Sequence, residues 1–331
     1  MTSISTQKQV ERWLARRSYR SEDYPLRRLA ELRRASDAAG RGGVSVVLPA
    51  REVAATIGSI LDSLAALREA GVVDELVVVD AASADGTAAI AAEHGGRVVQ
   101  ESELLSAHGP ARGKGDALWR SLVATAGEVV VFVDADTENF DDRFVRGLIG
   151  PLLEESAVAF VKGAFRRPFK LGETTVPDAG GRVTELVARP LLNLHVPELA
   201  GFRQPLAGEF AARRALLEQL PFPVGYGVEI ATLIDAYRVA GLDALAQVDL
   251  GERQNRHQPL RALSAMAFAV LIAAERRVRA DSLAALPDAR PIAFPTADGV
   301  ELRTVAVEER PPLAQVRAAS GPEAAGEGRR S

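Results

Sequence analysis

The stretch Val129-Val130-Val131-Phe132-Val133-Asp134-Ala135-Asp136 is an apolar run that ends in two carboxylates separated by one residue. An unbroken apolar run of this length is typical of a parallel strand that is buried on both faces. Carboxylate oxygens are ligands that Mg²⁺ and Mn²⁺ accept, and these ions keep positions open for phosphate oxygens. The stretch therefore predicts a buried strand whose end can bind a divalent cation and a diphosphate. Two solvent-facing acids in a turn are the alternative.

Three more strands are predicted before it, and helical patterns separate them; they cover Val44 to Pro49, Glu75 to Asp80 and Arg97 to Gln100. This alternation is typical of a doubly wound α/β sheet. In such sheets ligands bind beyond the carboxyl ends of the strands, so Pro49, Asp80 and Asp134 are expected along one edge. Further strands are predicted at Ala157 to Lys162 and Ala244 to Leu250, with a long loop from Gly163 to Gly180.

The composition excludes several classes of protein. The 331 residues contain no cysteine, so a metal must bind to oxygen or imidazole ligands. The net charge of −4 gives no overall basic field for nucleic acid. The longest apolar run, Ala265 to Ala274, is about half of the roughly 20 residues that span a bilayer, which argues against stable membrane insertion. Without a signal-peptide pattern, a cytoplasmic location is expected.

Composition and breakers divide the chain into four parts. Residues 1–43 mix arginine with acids and predict a charged, solvated helical extension. Residues 44–260 form the predicted α/β domain, which divides into the segments 44–136 and 137–260. Residues 261–310 are expected to form a C-terminal helix and an extended segment. The Ala-, Gly-, Glu- and Arg-rich residues 311–331 are expected to be a disordered tail.

Two glycine-flanked cations are candidates for anion binding. In Gly113-Lys114-Gly115 the glycines let backbone and ammonium approach a phosphate at the start of a helix, although an ordinary basic turn fits as well. In Gly180-Gly181-Arg182-Val183-Thr184 the guanidinium can bind a phosphate or carboxylate at a helix start. The second motif therefore predicts a pocket for a phosphorylated acceptor, or else a capped helix with a surface arginine.

Two later motifs suggest a sugar site and a metal ligand. Gly225-Tyr226-Gly227-Val228-Glu229 places a carboxylate and an aromatic ring together, as sugar sites do; a surface acid on a first helical turn is the alternative. Arg253-Gln254-Asn255-Arg256-His257 follows the last strand, and His257 is the histidine best placed to bind a divalent ion.

Taken together, these motifs resemble the glucosyl-3-phosphoglycerate synthase family and the related mannosyl-3-phosphoglycerate synthases. The most specific matches lie within Gly113 to Leu122, Gly180 to Leu191 and Pro221 to Ile230. The resemblance implies a retaining glycosyltransferase with the GT-A fold, an α/β, Rossmann-like nucleotide-sugar-binding fold with a mixed central sheet and helical or extended appendages. It implies transfer of glucose from an NDP-glucose, expected to be UDP-glucose, to the 2-hydroxyl of 3-phosphoglycerate. It also implies Mg²⁺ or Mn²⁺ and a homodimer.

The resemblance also implies that residues 44–136 are the nucleotide-binding half and residues 137–260 the acceptor half of the domain, and it implies roles for individual residues. The residues expected at the donor are Pro49, Ala50, Arg51, Glu52, Asp80, Ala81, Lys114, Asp134, Ala135, Asp136, Leu206, Tyr226 and Glu229. Those expected at the acceptor are Gly181, Arg182, Thr184 and Asn255. Asp136 and His257 are expected to bind the metal, and Asp136, Glu229 and Lys114 to take part in catalysis.

Three positions depart from the family pattern. Val53 stands where a nucleoside-binding carboxylate is usual, with Glu52 as a partial replacement, and Ala81 stands where serine is frequent. Asn255 occupies the place of a metal-binding histidine, and His257 lies two residues later. A mannosyl-3-phosphoglycerate synthase that uses GDP-mannose is therefore kept as an alternative. A non-catalytic protein that binds a nucleotide-sugar is a second one.

Overall fold

The computed structural model describes residues 4–171, 174–176, 181–254, 258–279, 289–296 and 299–320. Its strands, in chain order, are β1 (Ser18–Arg20), β2 (Val44–Ala50), β3 (Glu75–Asp80), β4 (Arg97–Gln100), β5 (Val129–Phe132), β6 (Phe160–Arg166), β7 (Phe169–Leu171), β8 (Thr174–Val176), β9 (Phe210–Arg213), β10 (Phe222–Pro223), β11 (Leu245–Glu252), β12 (Ala289–Thr296), β13 (Gly299–Ala306) and β14 (Glu309–Arg310).

The helices cover both faces of the sheet. They are α1 (Ile4–Arg17), α2 (Leu26–Ala38), α3 (Ala54–Glu69), α4 (Thr87–Glu93), α5 (Lys114–Ser121), α6 (Arg143–Glu154), α7 (Arg189–His195), α8 (Arg214–Leu217), α9 (Val228–Ala240) and α10 (Leu260–Val278), with a last helix at Leu313–Ser320. A π-helical turn at Thr184–Ala188 leads into α7. No helix in the described part of the chain is long and apolar enough to cross a membrane.

Eight strands form the central sheet, in the order β1-β11-β6-β9-β5-β2-β3-β4. All neighbouring pairs are parallel except those of β9, which runs antiparallel to β5 and β6. Successive side chains of β2 alternate between the faces: Val46 and Leu48 pack with α3 and α6, and Val47 packs with α5 and α9. Burial on both faces explains why the predicted strands read as unbroken apolar runs. The expected mixed α/β sheet is confirmed.

The direction of the strands places the candidate residues at one edge of the sheet. The carboxyl ends of β2, β3, β5, β6 and β11 all lie there, because these strands are parallel. The antiparallel β9 begins at the same edge, so the residues just before Phe210 join them. The site is therefore built from both halves of the 44–260 segment, which share one sheet.

The expectation of a solvated extension over residues 1–43 is wrong, although the segment is helical. Trp13 is 1% exposed and donates its indole N–H to the Leu245 carbonyl at 2.8 Å. Strand β1 pairs with β11 and forms an edge of the central sheet. Tyr24 packs on Gly150, where a Cβ atom would come within 2.3 Å of its ring. A few apolar side chains among the charges are enough to dock the segment.

The expected disorder from residue 311 is also wrong for the described residues. Strand β14 pairs with β10, and a helix follows at Leu313–Ser320 with Leu313 buried. The indole N–H of Trp119 donates to the Pro311 carbonyl at 2.9 Å. The loop predicted at 163–180 is likewise shorter than expected, because β6 continues to Arg166 and β7 pairs with β8.

Candidate active site

A cavity of about 210 Å³ opens at the carboxyl edge of the sheet. Nine predicted site residues line it: Lys114, Asp134, Asp136, Leu206, Tyr226 and Glu229 from the donor prediction, and Gly181, Arg182 and Thr184 from the acceptor prediction. The structure thus brings residues from distant sequence motifs into one wall.

Lys114 is the first residue of α5 and bridges two acids of the cavity. Its Nζ forms an ion pair with Asp134 and lies 3.0 Å from Glu229 Oε1. Burial alone would lower the Lys114 pKa, but the two carboxylates outweigh it and raise the pKa above its ordinary value. Glycine is required next to it, because a Cβ at Gly115 would lie 1.8 Å from the Pro223 carbonyl oxygen. Lys114 therefore carries a fixed positive charge into the cavity.

The two aspartates after β5 differ in exposure. The side chains of Asp134 and Asp136 are 17% and 57% exposed, while Ala135 between them points into the core. Burial alone would raise the Asp134 pKa, but Lys114 and Arg253 hold that pKa well below its usual range. Asp134 is therefore ionised and internally paired. Asp136 is the acid that presents its carboxylate to the cavity.

Arg253 is the centre of a buried charge cluster that sequence reasoning quoted in a motif without giving it a role. Its Nη2 donates to Asp134 at 2.9 Å and to Asp136 at 3.1 Å, and its Nε lies 2.9 Å from Glu209 Oε1. Burial raises the pKa of Glu209, and Arg253 opposes this shift. The signal that could have found Arg253 is its place directly after β11, at the same strand edge as Asp134.

Lys162 is a second residue that sequence reasoning missed. Its side chain is fully buried in β6, and its Nζ donates to the Glu229 carbonyl at 3.3 Å and lies 5.0 Å from the centre of the Phe210 ring. Burial lowers the pKa of Lys162 to about 7. In the sequence, a lysine after an apolar run indicates the end of a strand. Nothing in the sequence therefore indicated that this amine would donate to a carbonyl in the first turn of α9.

The predicted acceptor residues form another part of the cavity wall. Gly181 adopts a positive φ of 75°, which an L side chain rarely adopts, and starts the turn that contains Thr184. Arg182 donates from Nη2 to the Gln258 carbonyl at 3.0 Å, and Thr184 is buried. Arg167, in the predicted loop, also lines this wall and was not predicted.

The remaining predicted donor residues lie at the strand ends but do not line this cavity: Pro49, Ala50, Arg51, Glu52, Asp80, Ala81 and Ala135. Asp80 is buried and accepts hydrogen bonds from Ser83 N and Gln100 Nε2. Glu52 has a positive φ of 53° and accepts from Ala84 N at 2.9 Å. Its carboxylate thus ties the loops after β2 and β3 together.

Two predicted ligands, Asn255 and His257, lie outside the described residues. Within the described ranges, no group of three or more His, Cys, Asp or Glu residues could hold a metal ion. The exposed carboxylate of Asp136 nevertheless suits a hard cation whose other ligands come from a diphosphate. The cavity therefore fits a metal that binds together with its substrate.

This arrangement, with a lysine, paired acids and an anion pocket at the end of a mixed sheet, defines a GT-A glycosyltransferase. Residues 45–208 match the family model for glycosyl transferase family 2. A glucosyl-3-phosphoglycerate synthase from Mycolicibacterium paratuberculosis is 48% identical over 78% of each chain. The chain belongs to the glucosyl-3-phosphoglycerate synthase family.

Solved structures agree with this assignment. The structure of mannosyl-3-phosphoglycerate synthase from Rubrobacter xylanophilus has a TM-score of 0.82 and 46% identity, covering 92% of this chain and 99% of the other. Glucosyl-3-phosphoglycerate synthase from Mycobacterium tuberculosis, in complex with Mn²⁺, UDP-glucose and phosphoglyceric acid, has a TM-score of 0.76 and 43% identity, covering 87% and 95%.

Proposed function

We propose that the cavity transfers glucose from UDP-glucose to the 2-hydroxyl of 3-phosphoglycerate, with retention at the anomeric carbon. The observation that carries this proposal is the shared cavity: the cluster of Lys114, Asp134 and Glu229 lines its wall together with Arg182 and Thr184. The relative that holds UDP-glucose and phosphoglyceric acid together supports it. Donor and acceptor would therefore meet in this cavity.

At the donor end, Lys114 supplies a fixed positive charge for the diphosphate, since Asp134 and Glu229 keep it protonated. Glu229, with its carboxylate held by Lys114, is oriented to accept hydrogen bonds from sugar hydroxyls, beside Leu206 and Tyr226. Asp136 would hold Mn²⁺ or Mg²⁺, with His257 as the second protein ligand. When bound, such an ion neutralises charge on the departing diphosphate.

At the acceptor end, Arg182 and Thr184 offer a guanidinium and a hydroxyl at the start of a helical turn, and Gly181 lets the substrate approach the backbone. Asn255 is proposed to contact the same substrate. Charge-assisted hydrogen bonds of this kind orient an anion as well as bind it. The acceptor hydroxyl would then be held towards the donor sugar.

The pairing of the acids favours a single displacement on one face of the sugar. Asp134 and Glu229 are paired with Lys114, and Asp136 is paired with Arg253, which lowers the nucleophilicity of all three carboxylates. In the proposed step the bond from C1 to the phosphate oxygen breaks, and the bond from C1 to the acceptor oxygen forms. The acceptor proton passes to the leaving phosphate.

A second candidate is mannosyl transfer from GDP-mannose, which is favoured by the similarity to the Rubrobacter xylanophilus enzyme. Separate incubations of the protein with 3-phosphoglycerate, Mn²⁺ and each of UDP-glucose, GDP-glucose, ADP-glucose and GDP-mannose distinguish the candidates by the rate of product formation with each donor. We expect the fastest reaction with UDP-glucose. A faster reaction with GDP-mannose would favour the second candidate, and no product with any donor would favour a non-catalytic binding protein.

Homodimer formation and a cytoplasmic location stay predictions. The first is checked by multi-angle light scattering of the purified chain, where a mass near twice 35.2 kDa is expected. The second is checked by fractionation of cells that express the protein at its natural level.

A further inference from the structure

Asp116 is a fully buried carboxylate two residues after Lys114, in the first turn of α5. Arg120, one turn later, donates from Nε to its Oδ1 at 3.0 Å. Arg310 of β14 donates to the same carboxylate from Nε at 2.9 Å and from Nη2 at 2.7 Å, although it lies 194 residues later in the chain. Neither Asp116 nor Arg310 is among the residues that line the cavity. Any effect of this cluster on the reaction must therefore pass through a residue that does.

The two arginines also hold the loop that leads into α5. Arg310 donates from Nη1 to the His108 carbonyl at 2.6 Å and from Nη2 to the Pro110 carbonyl at 3.0 Å. Arg120 donates from Nη2 to the Gly109 carbonyl at 2.7 Å. These carbonyls belong to three consecutive residues, and hydrogen bonds from a charged donor are stronger than those between neutral groups. The loop is thus tied to the same guanidiniums that bind Asp116.

Strand β14 supports the start of α5 through its backbone as well. It pairs with β10, and Val224, which follows β10, donates its N–H to the Glu308 carbonyl at 3.2 Å. The Val224 carbonyl accepts from Asp116 N at 3.2 Å, and a Cβ atom at Gly113 would lie 3.2 Å from that carbonyl oxygen. The first turn of α5 therefore packs directly on the segment that β14 holds.

Lys114 depends on such support because its amine must stay close to two acids of the cavity. Its Nζ pairs with Asp134 and lies 3.0 Å from Glu229 Oε1. A lysine side chain is flexible, so the place of its ammonium depends on where the helix begins. A displacement of about 1 Å at a reacting group can reduce a rate by about a hundredfold.

We propose that Arg310 is a positioning residue for the diphosphate site: through Asp116 it fixes the start of α5 and so holds Lys114 at the phosphates of the donor. This inference rests on the proposed function, because it takes the donor diphosphate as the partner of Lys114. It gives a part in the reaction to β14, which lies outside the 45–208 segment that matches glycosyl transferase family 2.

A double-mutant cycle measures whether Arg310 acts through Lys114. Calorimetry gives the affinity for UDP in the presence of Mn²⁺ for the wild type, Arg310→Met, Lys114→Met and the double variant. In the wild-type background we expect Arg310→Met to weaken UDP binding about tenfold, as is usual for residues coupled in one network. In the Lys114→Met background the same change should weaken it by less than about twofold, because the amine that Arg310 positions is already gone. A similar loss in both backgrounds, or no loss in the wild-type background, would overturn the proposal.

Arg277→Met is the matched control, because Arg277 is a buried arginine that holds the adjacent residue of the same strand. Its Nη1 lies 2.8 Å from Glu309 Oε1, and its Nε donates to Asp235 at 2.7 Å. We expect this variant to melt at a lower temperature but, below its melting transition, to bind UDP within about twofold of the wild type. If it weakens UDP binding as much as Arg310→Met does, general support by β14 is responsible and the contact with Asp116 is not.

Two further measurements need no Lys114 variant. Arg310→Met leaves Asp116 paired with Arg120, so the buried carboxylate keeps a cation and the variant should fold. Its hydrogen exchange, followed by mass spectrometry, should be faster within residues 104–118 and unchanged in β2 and β3. Its KM for UDP-glucose should rise about tenfold, whereas its KM for 3-phosphoglycerate should stay within about twofold. Unchanged exchange within residues 104–118, or equal rises in both KM values, would also overturn the proposal.

Arg310→Lys gives an intermediate case. Lysine keeps the charge but lacks the planar fork that donates to a carboxylate through two parallel hydrogen bonds. We expect it to recover part of the UDP affinity that Arg310→Met loses. Recovery of none of that affinity would contradict a positioning role for the cation.

A failure of the proposed function would give a different result. If wild-type protein forms no product but binds UDP with the expected coupling between Arg310 and Lys114, the role of Arg310 stands and the proposed transfer does not. If wild-type protein does not bind UDP in the presence of Mn²⁺, both proposals are wrong.

Discussion

Two cavities of similar size, about 210 and 220 Å³, share the side chain of Arg167. The first is the candidate active site. The second is lined by Phe165, Arg166, Arg167, Glu185, Arg189, Arg203, Gln204 and Asp249. Both contain arginines and acids, so neither volume nor the presence of arginine separates a substrate site from a surface groove.

The difference lies in the burial of the charges. In the active-site cavity the side chains of Arg253, Glu229, Asp134 and Lys114 are 4–22% exposed, whereas that of Asp136 is 57% exposed. In the second cavity the pairs Arg189 with Glu185 and Arg203 with Asp249 are 33–63% exposed. Water and salt screen exposed charges, so they bind a ligand weakly. Six single substitutions test this comparison, from the largest expected effect to the smallest.

Asp136→Asn should have the largest effect on catalysis. Metal stabilisation of a transition state is worth several kcal/mol, so loss of the carboxylate should reduce turnover by on the order of a hundredfold or more. The side chain is exposed, so the melting temperature should stay close to that of the wild type. Steady-state rates at saturating Mn²⁺ provide the measurement. Near wild-type turnover would show that Asp136 does not bind the metal.

Arg253→Met should have the largest effect on stability. It leaves the fully buried Glu209 without its cation, and loss of one partner of a buried pair costs about 3–5 kcal/mol. Urea unfolding measures this loss. Adding Glu209→Gln should recover part of it, because the uncompensated charge is then gone. If the single variant is as stable as the wild type, the burial argument for the active-site cavity fails.

Arg182→Ala should raise the KM for 3-phosphoglycerate far more than the KM for UDP-glucose. A hydrogen bond to a charged group is worth about 1.5–3 kcal/mol, or roughly ten- to a hundredfold in kcat/KM. Initial rates with each substrate varied in turn separate the two constants. An equal loss for both substrates would indicate a role in folding.

His257→Ala and Asn255→Ala should affect different substrates. Imidazole is a stronger ligand for Mn²⁺ than an amide oxygen, so His257→Ala should raise the Mn²⁺ concentration needed for half-maximal rate by several-fold. Asn255→Ala should chiefly raise the KM of the acceptor. A titration in which only Asn255→Ala changes the metal requirement would reverse the assignment.

Arg203→Met should have the smallest effect. Its partner Asp249 is exposed, and exposed ion pairs contribute about 0–1 kcal/mol. We expect kcat/KM to change by less than about twofold. A clear rise in the KM for 3-phosphoglycerate would instead make the second cavity part of the substrate site and remove the distinction between the two.

Strands β2 to β5 could be predicted from the sequence, and the place of the site residues that follow them could be predicted from where each strand ends. Strands β3 and β4 have the predicted bounds, β2 is one residue longer at its end, and β5 is one residue shorter at each end than the predicted Glu128 to Val133. Asp134 and Asp136 follow a strand whose apolar run is unbroken. Their position at the sheet edge follows from strand direction alone.

The features that were not predicted depend on contacts between residues that are far apart in the chain. Glu209 precedes the antiparallel β9, which was not predicted, because Phe210–Arg213 is too short to show a pattern. Lys162 is buried with its amine against the Glu229 carbonyl in the first turn of α9 and against the Phe210 ring. Strand β1 is held in the sheet by β11. A local pattern cannot report a partner that lies 67 residues away, as for Lys162, or 229 residues away, as for β1.

The pairing of β1 with β11 also has a consequence for folding during synthesis. Ser18 pairs with Gln247, and the side chains of these two residues hydrogen-bond across a separation of 229 residues. At a synthesis rate of about 5–20 residues per second, β1 waits roughly 10–50 s for its neighbour. Long-range parallel pairing is intrinsically slow, so this edge should be among the last parts of the sheet to form. Until then Trp13 lacks its acceptor, and the apolar surface it will cover is open to chaperones or to other nascent chains.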